Sequence, residues 1–160
     1  MRAVARRLGV SPNALYSHVE DKTALIDGVL DQVLAEVHTP TPEAPDPISG
    51  LRDLMGSTYD VLLAHPDLVP RYLARQGARG GNAQRLGAVV LDLLSAAGVT
   101  GVHAHEALRV LIIYTIGFAA FSTREPIGPG EDPVLPVPEL RVNFERGLGW
   151  LLTGIVSAAR

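Results

Sequence analysis

Proline placement constrains this chain more than any other feature. Nine of its 12 prolines fall in two short stretches, Pro40–Pro47 and Pro126–Pro138. A proline inside a helix removes a backbone donor and clashes with the preceding turn, so helices stop at such stretches. The chain is thereby divided into residues 1–38, 48–124 and 139–160. All three parts repeat apolar residues every three or four positions, and none alternates with period two for long enough to make a strand. The expected fold class is all-α, with no internal repeat.

The helices announce themselves by stripes and caps. Leu25, Ile26, Val29, Leu30, Val33, Leu34 and Val37 share one helical face, and Asp21 is placed to cap it. Asp46-Pro47 reads as an N-cap followed by proline at the first helical position. The stripe Ile48, Leu51, Leu54, Met55, Leu62 and Leu63 follows, and His65-Pro66 stops it. Asn82 can cap a helix carrying Leu86, Val89, Val90, Leu93 and Leu94, which Gly98 ends. Thr100 can cap the next helix, to about Thr123, and the last carries Phe144, Leu148, Leu151, Leu152 and Ile155.

Residues 107–121 are apolar on nearly every side, from Leu108 through Ile112, Ile113 and Ile116 to Phe121. Such a helix must be covered all round. Two arrangements do this: a central core helix, or a seam between two copies that is also partly core. Trp150 and Phe144 add large side chains of the kind that anchor interfaces. Arg109 and Thr115 interrupt the run, which falls short of the ~20 residues of a membrane span. No apolar run follows the N-terminal arginines, so no signal peptide is read there. The absence of cysteine excludes disulfides, thiol nucleophiles and cysteine-ligated metals. A chain of 160 residues that is 47% hydrophobic and 19% charged is folded, not disordered. A soluble cytoplasmic protein is expected.

The first 22 residues carry the functional signal. Val4 to Val19 reads as helix, tight turn, helix: Gly9 supplies the left-handed turn, Ser11 caps the second helix and Pro12 opens it. Ala5 is small where two helices cross, and Val4, Leu8, Val10 and Leu15 are the expected small core. This is a helix-turn-helix pattern, whose second helix enters the DNA major groove. Asn13 and Ser17 can reach base edges, while Tyr16, His18 and Lys22 can reach phosphates. Residues 1–22 are net +2 on a chain of net −3, so positive charge is local to this face.

The run Ala5-x-x-Leu8-Gly9-Val10-Ser11-x-x-x-Leu15-Tyr16-x-His18-Val19-x-x-Lys22-x-x-Leu25 resembles the DNA-binding module of TetR-type repressors, the tetracycline-repressor subgroup in particular. The resemblance implies that Arg2 contacts a base, that Pro12, Asn13 and Ala14 begin the recognition helix, and that Tyr16, His18 and Lys22 hold phosphates. It implies residues 1–38 as DNA-binding module plus connecting helix, and 48–160 as ligand-binding and dimerisation domain. The helices near 103–123 and 139–158 would form a four-helix bundle with their mates in a homodimer. It also implies a further helix ahead of Met1, over the apolar face of Val4, Leu8, Leu25 and Val29. The sequence is accordingly expected to be truncated at its DNA-reading end, the alternative being a natural variant with a crippled reading head, and this form is expected to bind operator weakly or not at all.

The subgroup's drug site does not carry over. His38 falls where the subgroup has a ligand-contacting His, but Leu54 and Thr58 replace an Asn and a Phe, and Tyr72 replaces a metal-linked His. No metal or cofactor is expected, nor is a magnesium–tetracycline ligand. His103 and His105 lie two apart and point to different sides of a helix, so they make poor co-ligands. Arg79-Gly80-Gly81-Asn82 reads either as an anion site at a helix N-terminus or as a flexible turn with an Asn cap. No catalytic set is recognisable, and Glu131-Asp132 sits in a proline-rich loop. Besides His38, the candidate ligand contacts in the helical core are Tyr59, His65, Tyr72, Gln76, Arg109, Tyr114 and Thr115. The expected function is a ligand-responsive repressor of double-stranded operator DNA, released by a small, largely apolar effector. The alternative is a dimeric small-molecule-binding protein that no longer reads DNA.

Overall fold

The computed structural model describes residues 1–40, 46–123 and 135–159. Among them every regular element is a helix. The order is α1 (Arg2–Arg7), α2 (Pro12–Tyr16), α3 (Lys22–Val33), α4 (Pro47–Ala64), α5 (Val69–Arg75), α6 (Gly81–Ala96), α7 (Gly101–Ser122) and α8 (Val137–Ala158). Short 3-10 turns follow α3 at Leu34–Glu36 and α4 at Pro66–Leu68. Most of both proline stretches, with Glu131-Asp132, lies outside the described residues.

Local chemistry sets most boundaries. The Ser11 hydroxyl accepts from the Ala14 N–H at 3.1 Å, and the Asp21 carboxylate from Ala24 N–H at 2.7 Å. Asp46 accepts from the N–H groups of Ile48 and Ser49 ahead of Pro47. Gly9 turns the chain at φ 68° and Gly98 at φ 87°. Two caps differ from expectation. Thr100 holds the cap position of α7 without a side-chain bond. Asn82 lies inside α6, whose cap position is Gly80. The short helix α5 was not legible from periodicity, because seven residues carry too few repeats to show one.

Helix α7 runs through the middle of the bundle and touches α4, α5, α6 and α8. At 22 residues it is longer than the apolar run first suggested, and long enough to cross a membrane by length and hydropathy. Its packing gives it another role. Ala104, Ala107, Leu111, Thr115 and Ala119 are buried in the core. The opposite face leaves Val102, Ile113 and Phe121 open, at 63%, 70% and 54% exposure. So α7 is half core and half open face, with Trp150 of α8 open at 72%.

An aromatic cluster joins α4, α7 and α8. Phe144 is fully buried and stacks on Tyr59, with ring centroids 4.2 Å apart. Tyr114 and Phe118 close the cluster at 5.4 and 5.7 Å from Phe144. The Tyr114 hydroxyl donates to the Phe144 carbonyl at 2.8 Å. A Cβ at Gly147 would collide with that hydroxyl, which accounts for glycine inside this helix.

The helix-turn-helix core is smaller than expected. Ala5 and Leu15 are buried, but Leu8 and Val10 stand 62% and 42% exposed. Helices of six and five residues bury one face each against the other and have nothing left to cover the rest.

Candidate functional site

Helix α2 is presented to solvent. Pro12, Asn13, Ala14, Tyr16, Ser17, His18 and Lys22 are all exposed, as is Arg2 on α1. Only Leu15 of α2 turns inward. Two polar side chains are already engaged. Ser11 caps the helix, and the Ser17 hydroxyl donates to the Ala14 carbonyl at 2.7 Å. Ser17 thus keeps only acceptor capacity for a base edge, whereas Asn13 keeps both its donors and its acceptor.

A second feature lies in the body. A cavity of about 180 Å³ sits between α4, α5, α6 and α7. Its walls are mainly apolar, with Met55, Leu62, Leu86, Val90, Leu108 and Ile116. Of the eight candidate ligand contacts, Tyr72, Gln76 and Thr115 are brought together here. Thr58, which the sequence flagged only as a departure from the drug site, joins them. The three hydroxyls each donate to a backbone carbonyl: Thr58 to Leu54, Tyr72 to Leu30, and Thr115 to Leu111. Burial first, then the negative charges of Asp31 and Glu36, push the Tyr72 hydroxyl well above the ordinary tyrosine range. It therefore remains a donor at physiological pH. Gln76 sits at the end of α5 with φ 56°, the one non-glycine residue with positive φ among those described.

The other five candidates lie elsewhere. Tyr59 bonds Ser122 at 2.7 Å inside the aromatic cluster, and Tyr114 belongs to the same cluster. His65 pairs with Glu36 at 3.0 Å. Arg109 is exposed on α7. His38 lines a separate open groove between α4 and α8, beside Ser57 and Arg141. Residue type and helix membership were readable, but which side of α4 or α7 meets the hole depends on how the helices are rotated in the bundle.

The anion reading of Arg79–Asn82 has an internal answer. The carboxylate of Asp31, on α3, accepts from Asn82 N–H at 3.1 Å, Asn82 Nδ2 at 3.2 Å and Ala83 N–H at 2.9 Å. The anion at the N-terminus of α6 is the protein's own side chain. Burial pushes this carboxyl up, but the bonds from Ala83 and Asn82 outweigh it and hold Asp31 below the ordinary aspartate value. The sign follows by linkage. A depressed folded value means the cap contributes in full at neutral pH and is lost as pH falls through it, below the unfolded value of about 3.9. Urea unfolding of the native chain should therefore lose stability between pH 5 and pH 3, and Asp31→Asn should remove part of that loss. An identical acid loss in the variant would show that the cap titrates like any surface aspartate.

Among the described residues no group of three His, Cys, Asp or Glu side chains is placed to hold a metal. His103 is exposed beside Glu106, and His105 bonds the Gly101 carbonyl, so this pair stays at the start of α7.

The class defined so far is an all-α protein in which a helix-turn-helix joins a body that holds a cavity. Comparison with known proteins narrows it. No family model matches the chain. It is 34% identical over 127 residues to the class A tetracycline repressor protein from transposon 1721 of Escherichia coli. That match covers 72% of this chain and 54% of the repressor, so the chain spans about half the length of this curated relative. The TetR family protein ActR of Streptomyces coelicolor, in complex with actinorhodin, superposes with a TM-score of 0.83 at 25% identity, over 99% of this chain and 87% of that one. A TetR variant from Acinetobacter baumannii in complex with minocycline gives 0.79 at 25% identity, over 99% and 85%. The chain is thus similar in sequence to a tetracycline repressor and shares the fold of TetR family regulators.

Proposed function

We propose that this chain is a cytoplasmic, ligand-responsive repressor that binds operator DNA as a homodimer and is released by a compact, largely apolar molecule. One observation carries the reading: the same chain presents the polar side chains of α2 outward and holds an apolar cavity whose wall residue Tyr72 bonds the Leu30 carbonyl of α3, the helix that follows them. The cavity's hydroxyls are already bonded internally, which favours an effector with few polar groups. Relatives of this fold are solved with actinorhodin and with minocycline bound. Residues 1–38 would form the reading module and 48–160 the effector and dimer domain. The open faces of α7 and α8 would pair with their mates, and no catalytic role is assigned to any residue.

The test is selection of bound sequences from a random DNA pool, followed by titration at several salt concentrations. Enrichment of one palindromic sequence is expected, with an affinity that is weak because Leu8 and Val10 of the module stand uncovered and that falls further as salt rises. Lys22→Ala should weaken binding to all sequences alike and reduce the salt slope by about one. Asn13→Ala should cost about 1–3 kcal/mol and relax preference at one base pair. Equal loss on every sequence for Asn13→Ala would remove it from base reading.

A second reading, a small-molecule-binding dimer that does not read DNA, is favoured by the exposed Leu8 and Val10 of the module. It predicts no enriched sequence, with binding of apolar ligands intact.

A further inference from the structure

We infer that Asp31 is a positioning residue through which occupancy of the cavity is passed to the DNA-reading module. This rests on the cavity being the effector site.

Helix α3 offers three acceptors on one face, at Asp27, Leu30 and Asp31, the i, i+3, i+4 spacing that aligns neighbours on a helix. The Asp27 carboxylate takes the Arg75 guanidinium of α5, with Nε at 2.7 Å. The Leu30 carbonyl takes the Tyr72 hydroxyl of α5 at 2.6 Å. The Asp31 carboxylate takes the first-turn donors of α6. So α5 holds α3 by two grips, while Asp31 supplies the polar grip from α6.

That grip is built rather than incidental. Helix α6 has glycine at its cap position and no side-chain cap of its own. Helix caps ordinarily come from the residue just ahead of the helix. Here the capping carboxylate comes from 51 residues earlier in the chain. A Cβ on Gly80 would collide with the Asp31 carboxylate, so the approach depends on the missing side chain.

The helices that hold α3 are also cavity walls. Tyr72 lines it from α5, and Ala83, Leu86 and Gly87 from α6. Its volume of about 180 Å³ is below the ~300–1,000 Å³ of ordinary small-molecule sites. An occupant of ordinary size must therefore move α5 and α6 apart. Helix α3 cannot then keep both sets of grips in place. With Asp31 intact, α3 is pulled with α6, and α2, five residues ahead of α3, moves with it. Without Asp31, α3 stays with α5.

The chain has no cysteine, so two introduced ones can be spin-labelled cleanly. Labels at Ser17→Cys and at the exposed Ala74→Cys of α5, in labelled chain diluted into unlabelled chain, report the distance from reading helix to α5 within one chain. Gly87→Phe serves as a permanent occupant, because a Cβ there meets only Leu108 at an ordinary 3.9 Å. The expected result is a shifted distance in Gly87→Phe, most of which is lost when Asp31→Ala or Gly80→Ala is added. Asp31→Asn, which keeps one acceptor oxygen, should restore part of it. A merely structural cap would lower the melting temperature and leave the shift intact. An undiminished shift in both double variants overturns the role of Asp31. No shift with Gly87→Phe alone overturns the effector reading itself. If Asp31→Ala fails to fold, Gly80→Ala breaks the same contact from the other side and decides.

Discussion

Phe144→Ala is expected to lower the stability of the body by about 3–5 kcal/mol, the range for truncating a buried phenylalanine. The ring is wholly inaccessible and sits at the centre of the cluster that joins three helices. Its removal deletes the stacking partner of Tyr59 and the neighbour of Tyr114 and Phe118. The backbone carbonyl that accepts from Tyr114 remains, so the loss is one of packing and not of hydrogen bonding. Neighbours cannot easily collapse into the hole. Tyr59 is held through its hydroxyl by Ser122, and Tyr114 by the α8 backbone. Phe144→Leu, which keeps most of the volume, should recover more than half of the loss. Equilibrium urea unfolding measures both. A cost near 1 kcal/mol for the alanine variant would mean the site relaxes, and the cluster is not the point that ties α8 to the bundle.

Ile113→Glu is expected to convert a homodimer into a folded monomer. Ile113 is 70% exposed on α7, so in the free chain the substitution changes little; surface changes usually stay within about 0.5 kcal/mol. In a four-helix seam of α7 and α8 with their mates, the same carboxylate would face its copy and Trp150. An unpaired charge buried in an interface costs several kcal/mol, and Trp150→Ala at the same seam should cost about 2 kcal/mol or more. Light scattering should show the monomer mass for Ile113→Glu with unchanged helicity. Sequence-selective DNA binding should fall at least tenfold, because two reading heads must be held at one spacing. A variant that keeps the native mass would place the seam elsewhere and leave the open face of α7 without its proposed partner.

The two predictions draw on helices that the sequence located well. Their extents were legible because the signals are local: Asp21, Asp46 and Ser11 sit within three residues of the amides they cap. The helix-turn-helix was legible for the same reason, since Gly9, Ser11 and Pro12 each act on the nearest turn. The site was legible only in part. Tyr59 and Tyr72 lie on apolar helical stripes of the same kind, yet one ends in the aromatic cluster and the other in the cavity wall. Asn82 was the reasonable cap from local rules, and Asp31 took the task from another helix. Leu8 and Val10 matched core positions of the motif and are exposed, because motif matching registers residue type and not what lies above it.

The amino-acid sequence by itself determined the helical class, the breaks between helices, the helix-turn-helix motif and the likeness to TetR-type repressors, since each depends on residues a few positions apart. Tertiary structure alone decided which face of each helix meets which neighbour. The Asp31–Asn82 cap spans 51 residues and the Tyr72–Leu30 bond spans 42. Such contacts depend on how helices are rotated and crossed in the bundle, and that is set by the packing of the whole core, not by any local pattern.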